Sequence, residues 1–188
     1  RPPRSTLFPY TTLFRSGDFE GFHAIIGNPP YIQLQKLGEM ADAYQQMNFE
    51  TYERTGDIYC LFYELGNRLL KQNYYLSYIT SNKWMRAGYG EKTRKYFVEK
   101  TNPQVLIDFS GQSIFDEATV DVNILLLNKA PYTGATQSCV VKESCIENMS
   151  GYLSEKMISV SYKNAQNGWV VLTDRKSTRL NSSHDQIS

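Results

Sequence analysis

The chain has 188 residues, of which 41% are hydrophobic and 21% charged, and its formal net charge is +1. This length and composition are typical of one ordinary globular domain. No apolar run approaches the roughly 20 residues of a membrane span, and the near-neutral charge excludes nucleic-acid binding through a generally basic surface. Any contact with nucleic acid must come from a local patch.

The two ends of the chain differ from the rest. Residues 1–16 and 174–188 are basic or polar, show no helix or strand pattern, and resemble translated sequencing-adapter DNA. We interpret both as adapter-derived and non-native; genuine disordered tails are the alternative. The remainder, 17–173, holds 14 basic and 17 acidic residues, a net charge of −3, and is expected to be an internal piece of a longer protein.

The cysteines indicate a cellular compartment and no metal or disulfide chemistry. Cys60, Cys139 and Cys145 lie at spacings that suit neither a zinc site nor a disulfide framework. We therefore expect ordinary thiols in a reducing cytoplasm and no metal site.

The first predicted element is a short strand at residues 22–27, whose apolar sequence FHAIIG indicates burial. Two prolines follow, and they end any regular ladder because proline has no N–H to donate. The tetrapeptide Asn28-Pro29-Pro30-Tyr31 should be stiff and extended. It follows the carboxyl end of a strand, and open α/β sheets bind ligands at that edge.

This tetrapeptide offers hydrogen-bond acceptors on a stiff backbone. The side chain of Asn28 and the backbone carbonyls beside it can accept both hydrogens of one amino group, and Tyr31 adds a flat ring. An amino group on an aromatic ring is a poor nucleophile because its lone pair is delocalised, and gripping both hydrogens localises that pair. The pattern predicts attack by an amino nitrogen without a side-chain base. The alternative is a Pro-Pro loop with a packed tyrosine.

Residues 32–56 are polar and weakly periodic, and they fit a functional loop or a frayed surface helix equally well. Asp57 then begins a predicted helix as its N-cap. The apolar stripe of this helix consists of Ile58, Leu61, Phe62, Leu65 and Leu69. The opposite face carries Glu64 and Asn67, and Asn73 is expected to end the helix in a left-handed cap.

Further elements alternate along the chain. Strands are predicted at 74–80, 104–110, 120–128 and 137–141, with a second helix at 91–100 and coil at 161–173. Such alternation predicts an α/β fold with a largely parallel sheet. The connection around Phe115 is too short for a parallel crossover, so the two strands that flank it should be antiparallel.

A local basic patch lies between Lys83 and Lys100, where six Lys or Arg residues accompany two Glu. Phosphate contacts supply most of the sequence-independent affinity for nucleic acids. Lys83 and Arg86, just beyond a strand's carboxyl end, are the candidates for such contacts. The alternative is a solvated helix face.

Several segments resemble one family. The tetrapeptide at 28–31 resembles motif IV of the amino-group methyltransferases that use S-adenosylmethionine. The stretches GDIYCLFYELGNRLLKQN and ITSNKWMRAGYGEKTRKYF resemble the adenine-N6 DNA methyltransferases of restriction–modification systems, the Eco57I/TaqI-like group. The chain departs from that pattern at Asn73, near which the family usually has a glycine pair, and at Thr93, where it usually has leucine.

The resemblance implies a fold and a site. The chain would be the C-terminal half of a Rossmann-like class I methyltransferase sheet, mostly parallel with one antiparallel strand. Asn28, Pro29, Pro30 and Tyr31 would be catalytic, and Tyr31 and Phe115 would stack on the two faces of an adenine extruded from double-stranded DNA. Lys83 and Arg86 would contact that DNA.

The resemblance also implies a cofactor and a domain plan. Asn28 and Pro29 would touch S-adenosylmethionine, whose glycine-rich main site has no counterpart in this chain, so the chain alone is expected to be inactive. Residues 17–135 would be a partial catalytic domain, and 136–173 the start of a linker or target-recognition region. A restriction endonuclease domain can share the parent chain.

Two other functions fit part of the pattern. Protein-glutamine methyltransferases that act on release factors also carry NPPYI, and they grip a side-chain amide in the same way. A non-catalytic DNA-binding module would keep the fold, although it has no need of an intact Asn28 and Tyr31. The long insert before GDIY and the IFDEATV segment favour the DNA enzymes.

Overall fold

A computed structural model of the chain describes residues 20–112, 120–141, 148–162 and 166–171. The predictions about 1–16, 174–188, Phe115 and Cys145 lie outside the described residues. No described helix is long and apolar enough to cross a membrane.

The described strands form one sheet with the order β1-β2-β4-β3-β5-β6. They are β1 Phe22–Gly27, β2 Leu70–Ser81, β3 Asn102–Asp108, β4 Val122–Asn128, β5 Thr136–Val140 and β6 Ile158–Val160. β1 is parallel to β2 and β3 to β5, whereas β4 is antiparallel to both neighbours and β6 to β5. The α/β fold and the antiparallel β3–β4 pair are thus confirmed, while the reversed β6 is an addition that the sequence pattern does not predict.

Helices and short turns join these strands. The described helices are α1 Glu39–Gln46, α2 Tyr59–Leu69, α3 Glu91–Lys100 and α4 Met149–Lys156, with 3-10 turns at Leu34–Leu37, Asn82–Met85 and Gly88–Gly90. α3 has its predicted bounds. The segment 32–56 contains a surface helix, α1, which is one of the two structures that its sequence allows, and α4 is unpredicted.

β1 is an edge strand in the described part of the chain. Ala24 and Ile26 are exposed, Ile26 at 83%, because β1 pairs only with β2 among the described strands. The strand is confirmed, but the prediction that it is buried is wrong here. An apolar run indicates a strand suited to burial, and only the elements packed against it decide whether burial occurs.

The limits of α2 differ from the prediction. Its N-cap position is held by Ile58 rather than Asp57, and it ends at Leu69 rather than near Asn73. β2 follows at once, and Asn73 adopts its predicted left-handed conformation, with φ 70°, inside that strand. The left-handed residue therefore lies within a strand, where the β1–β2 register shifts, instead of ending a helix.

The buried face of α2 also differs from the predicted stripe. Leu65 is 41% exposed, whereas Glu64 of the predicted polar face is fully buried. The helix lies close to β2 at Gly66, where an added Cβ would come within 2.3 Å of a side-chain carbon of Leu76. On its other side the Glu64 carboxylate accepts hydrogen bonds from the backbone N–H and the hydroxyl of Thr51, both at 2.9 Å. The tertiary partners of the helix therefore bury it on two sides.

The main core continues into the C-terminal part of the chain. Trp169 is 1% exposed, its ring lies 5.3 Å from that of Trp84, and its backbone N–H donates to the carbonyl of Met85 at 2.7 Å. β5 extends the same sheet through its pairing with β3. The described residues of 136–171 thus pack on the preceding domain, and the start of a target-recognition region stays a prediction.

Candidate active site

Four strands of the sheet end at one edge. β1, β2, β3 and β5 run in the same direction, so the residues that follow them meet there. This edge brings together the tetrapeptide 28–31, the turn 81–86, and the residues Asp108 and Ser110. The sequence-predicted catalytic residues and both phosphate-contact candidates therefore belong to the same edge of the sheet.

The tetrapeptide after β1 is open to a ligand at its first residue. Asn28 and Pro30 are exposed, whereas Pro29 is buried. Among the described residues, none forms a hydrogen bond with the Asn28 carboxamide. The following prolines restrict the backbone that carries this acceptor, and the carboxamide is available to an outside partner.

The Tyr31 side chain is half-buried. Its hydroxyl donates to the backbone carbonyl of Ile79 in β2 at 3.3 Å. The ring meets that of Tyr59 edge to face, with centroids 5.9 Å apart and planes at 82°, a favourable arrangement for two aromatic rings. Burial raises the pKa of Tyr31, so its phenol is neutral at physiological pH.

A chain of hydroxyl groups lies behind Tyr31. The Tyr59 and Tyr89 hydroxyls are 2.9 Å apart, and Tyr89 donates to the Asp57 carboxylate at 2.9 Å. Since Tyr89 gives its single proton to the carboxylate, Tyr59 must be the donor to the Tyr89 oxygen. Burial raises the pKa of both tyrosines far above the usual value.

The sequence pattern does not predict this hydroxyl chain as part of the site. The pattern assigns Asp57 to a helix cap, but its carboxylate accepts from Tyr89 instead. The only signal available in the sequence is that Asp57 and Tyr59 share one family-like segment and Tyr89 lies in the other. Nothing in the spacing of these segments predicts that their hydroxyls meet.

The turn after β2 is held by a buried carboxylate. Asp108 is fully buried, and its Oδ1 accepts from the Asn82 side chain and from the Ser110 hydroxyl, both at 2.8 Å. Its other oxygen lies 3.4 Å from the Arg86 guanidinium, whose side chain is 54% exposed. Arg86 therefore sits at the edge of the sheet with one side tied to the protein and the other open.

The basic patch is largely neutralised in the folded chain. Lys92 pairs with Glu53, Lys95 with Glu99 and Lys100 with Glu50, at 3.1, 3.9 and 3.8 Å. Arg94 is buried and donates to the carbonyl of Trp84 at 2.7 Å. Lys83 is exposed and has no ion pair with any described residue. Lys83 and Arg86 are thus the exposed cations of the patch that lie in the turn after β2, at the carboxyl edge of the sheet.

The described thiols and acidic residues do not suggest metal chemistry. Within the described ranges there is no group of three or more His, Cys, Asp or Glu that could hold a metal ion. Cys60 and Cys139 are buried, free cysteines. Burial raises the pKa of the Cys60 thiol to about 12, so this thiol is unreactive at neutral pH.

An open α/β sheet with a reversed β4 and an Asn-Pro-Pro-Tyr turn at its carboxyl edge has the arrangement of a class I methyltransferase. The predicted fold class is confirmed. Residues 4–115 match the Eco57I restriction-modification methylase family, and the chain belongs to that family. The match begins within residues 1–16, whose origin in adapter DNA stays a prediction.

Known proteins similar to this chain are much longer. Over 112 residues the chain is 31% identical to the type II restriction enzyme and methyltransferase RM.Eco57I of Escherichia coli, an alignment that covers 57% of this chain and 11% of that protein. The chain thus spans about a tenth of that relative's length.

Two solved structures share the fold. The type IIG restriction endonuclease BpuSI matches with a TM-score of 0.59 and 14% identity, over 78% of this chain and 20% of its own. A type I restriction-modification methyltransferase subunit from Streptococcus thermophilus matches with a TM-score of 0.58 and 16% identity, over 77% of this chain and 35% of its own.

Proposed function

We propose that this chain is part of an enzyme that transfers a methyl group from S-adenosylmethionine to adenine N6 in double-stranded DNA. The observation that carries the proposal is the exposed carboxamide of Asn28, which has no partner among the described residues and sits on a backbone stiffened by two prolines at the ligand-binding edge. Membership of the restriction-modification methylase family supports methyl transfer as the reaction. DNA is the corresponding substrate in a restriction–modification system.

The mechanism follows from the acceptors of the tetrapeptide. The Asn28 side chain and the Pro29 carbonyl accept the two hydrogens of the adenine amino group, which localises the nitrogen lone pair for attack. A site built to bind an amino group rejects a keto base, since its acceptors would lose their partners. No side-chain base is needed before the N–C bond forms, because the amino nitrogen would lose its surplus proton to water afterwards.

The target base has to leave the duplex to reach this edge. Extrusion costs a few kcal/mol, and stacking on an aromatic side chain returns about 1–3 kcal/mol per base. Tyr31 provides one such ring, and Phe115, outside the described residues, is proposed for the other face. Lys83 and Arg86 would contact the phosphates beside the extruded base.

The described residues fit one side of the cofactor. Asn28 is exposed at the end of β1, and no described strand covers the outer edge of β1. Asn28 and the adjoining Pro29, which is buried, are the residues of this chain that we propose to touch S-adenosylmethionine. When bound, this cofactor supplies the electrophilic methyl group. The contribution of Asn28 and Pro29 is to orient the amino nitrogen and to keep its lone pair available.

Product analysis tests the proposal. The complete protein encoded by the parent gene is incubated with unmethylated DNA and S-adenosylmethionine labelled in the methyl group, and the DNA is digested to nucleosides. We expect N6-methyldeoxyadenosine. Labelled N4-methyldeoxycytidine would overturn the choice of base, and labelling of a glutamine-containing release-factor peptide instead of DNA would support the protein methyltransferases. DNA binding without any transfer would indicate a non-catalytic module.

We also propose three properties of the chain and its parent protein. The chain without the glycine-rich half of a methyltransferase is expected to transfer no methyl group. A restriction endonuclease domain is proposed for the parent protein by analogy with RM.Eco57I, whose name includes both activities. The cytoplasm is the expected compartment. Labelling of DNA by the purified 188-residue chain would contradict the first statement.

A further inference from the structure

We propose that Asp57, Tyr59 and Tyr89 form a positioning relay that fixes the angle of the Tyr31 ring, so that this ring presents its face to the extruded base. The relay residues touch neither the DNA base nor the methyl donor, and they act through Tyr31. The inference deepens the proposed function and rests on it for the identity of the stacked ligand.

The backbone joins the relay to the tetrapeptide. The N–H of Ile58 donates to the carbonyl of Ile32 at 2.8 Å, and Gln33 and Asp57 form an isolated antiparallel bridge. Ile32 is the neighbour of Tyr31 in the chain. The start of α2 is therefore joined by backbone hydrogen bonding to the residues that directly follow Tyr31.

The side chains of the relay restrict the Tyr31 ring further. Tyr59 is fully buried and presents its ring to Tyr31 edge to face, with centroids 5.9 Å apart. Its hydroxyl is held by Tyr89, which is held in turn by Asp57. The Tyr89 ring lies close against Gly56, since a Cβ added at that glycine would come 3.1 Å from the ring. The direction of every hydroxyl in the relay is thus fixed by the terminal carboxylate.

Packing alone does not require these hydroxyls. Phenylalanine would fill the same volume at positions 59 and 89 and would leave no polar atom to bury. Placing an acidic side chain that is only 8% exposed at the end of the relay carries a desolvation cost that only its hydrogen bonds offset. What the hydroxyl chain adds is orientation. Small errors in the position of a reacting group lower the rate of a preorganised reaction steeply.

The test removes the hydroxyls and keeps the rings. Tyr89→Phe and Tyr59→Phe are made in the complete protein. Tyr96→Phe is the matched control, because Tyr96 is a buried tyrosine that loses one hydrogen bond, from the Asn67 side chain at 2.9 Å, and lies outside the relay. Two measurements are made: the single-turnover methylation rate, and the fluorescence anisotropy of 2-aminopurine at the target position.

We expect both relay variants to slow methyl transfer by about 3- to 10-fold, the factor that corresponds to one ordinary hydrogen bond. They should also lower the anisotropy of the extruded base. Tyr96→Phe should unfold at a denaturant concentration similar to that of the relay variants. Its methylation rate and its 2-aminopurine anisotropy should match those of the parent protein. Relay variants that match the control in both measurements would overturn the inference.

A third measurement separates the relay from the proposed function. Fluorotyrosine is incorporated at position 31, and its ¹⁹F resonance is recorded without DNA. Loss of the Tyr89 hydroxyl should shift and narrow this resonance as the ring gains freedom, while Tyr96→Phe should not. A parent protein that transfers no methyl group but shows this response would refute the proposed function and retain the relay. An unresponsive resonance would refute the relay whatever the activity.

Discussion

Two asparagines follow parallel strands at the same edge of the sheet, and the fold uses them in opposite ways. Asn28 comes after β1, is exposed, and forms no hydrogen bond with a described residue. Asn82 comes after β2, is 8% exposed, and donates to Asp108 and Ser110 at 2.8 Å. A polar residue at the end of a strand therefore does not by itself indicate a ligand site.

The difference between the two turns lies in what makes them rigid. Prolines stiffen the first turn covalently, so the side chain of Asn28 is free for other partners. The second turn depends on side-chain bonds, including those from the Arg94 guanidinium to the carbonyls of Trp84 and Ala87 at 2.7 and 3.0 Å. Substitution of the exposed Asn28 should thus alter chemistry without altering stability, and substitution of the buried Asn82 should do the reverse.

The largest expected effect is on the chemistry of the first turn. Asn28→Ala removes one of two acceptors aimed at the amino group, and loss of one preorganised polar contact costs roughly 2.7–4 kcal/mol, or about 10²–10³ in rate. The single-turnover methylation rate of the complete protein measures this loss. DNA affinity and the free energy of unfolding should stay at parent values, because the side chain is exposed. A variant that methylates at the parent rate would remove Asn28 from the mechanism.

Tyr31 should behave differently from its neighbour. Tyr31→Ala removes the ring that stacks on the base, which is worth about 1–3 kcal/mol, so both base capture and transfer should weaken. Titration of DNA carrying 2-aminopurine at the target, followed by fluorescence, measures capture directly. Tyr31→Phe is the control, since it keeps the ring and loses only the hydrogen bond to Ile79. Equal capture by Tyr31→Ala and by the parent would contradict the stacking role.

The second turn should respond through stability. Asn82→Ala removes one donor from the buried Asp108 carboxylate, which keeps Ser110 and Arg86 as partners. Loss of a hydrogen bond to a charged group costs about 1.5–3 kcal/mol. Urea unfolding of the chain measures the change in the free energy of unfolding. Asn28→Ala is the control, because it makes the same substitution at an exposed asparagine. If the two alanine variants unfold at the same urea concentration, the contrast between the turns fails.

The smallest expected effect separates free from paired lysines. Lys83→Gln should reduce the slope of log K against log[salt] for DNA binding by about 0.9, the value for one lost phosphate contact. Lys95→Gln should leave the slope unchanged, because Lys95 lies on α3 beside Glu99. Filter binding over a series of salt concentrations measures both. Equal slopes for the two variants would contradict the proposal that Lys83, at the carboxyl edge of the sheet, contacts a phosphate and that Lys95 does not.

Local pattern predicted much of the fold. The bounds of α3, the strand before the tetrapeptide and the antiparallel pairing of β3 with β4 follow from periodicity, breaker residues and the length of a connection, and the structure has all three. These features depend on neighbours in the chain. The same holds for the tetrapeptide, whose stiffness resides in the proline ring and needs no tertiary partner.

What the sequence by itself determined about this protein is therefore the class of sheet and the presence of a stiff Asn-Pro-Pro-Tyr turn at its carboxyl edge. The tertiary structure alone decided which polar groups have partners: the Glu64 carboxylate accepts a hydrogen bond from Thr51, Lys92 and Lys100 of α3 lie beside Glu53 and Glu50, and the Asp57 carboxylate accepts from Tyr89. These partners come from distant parts of the chain. Hydrogen bonds and ion pairs depend on distances of a few ångströms, and no spacing along the sequence specifies such distances between separate elements.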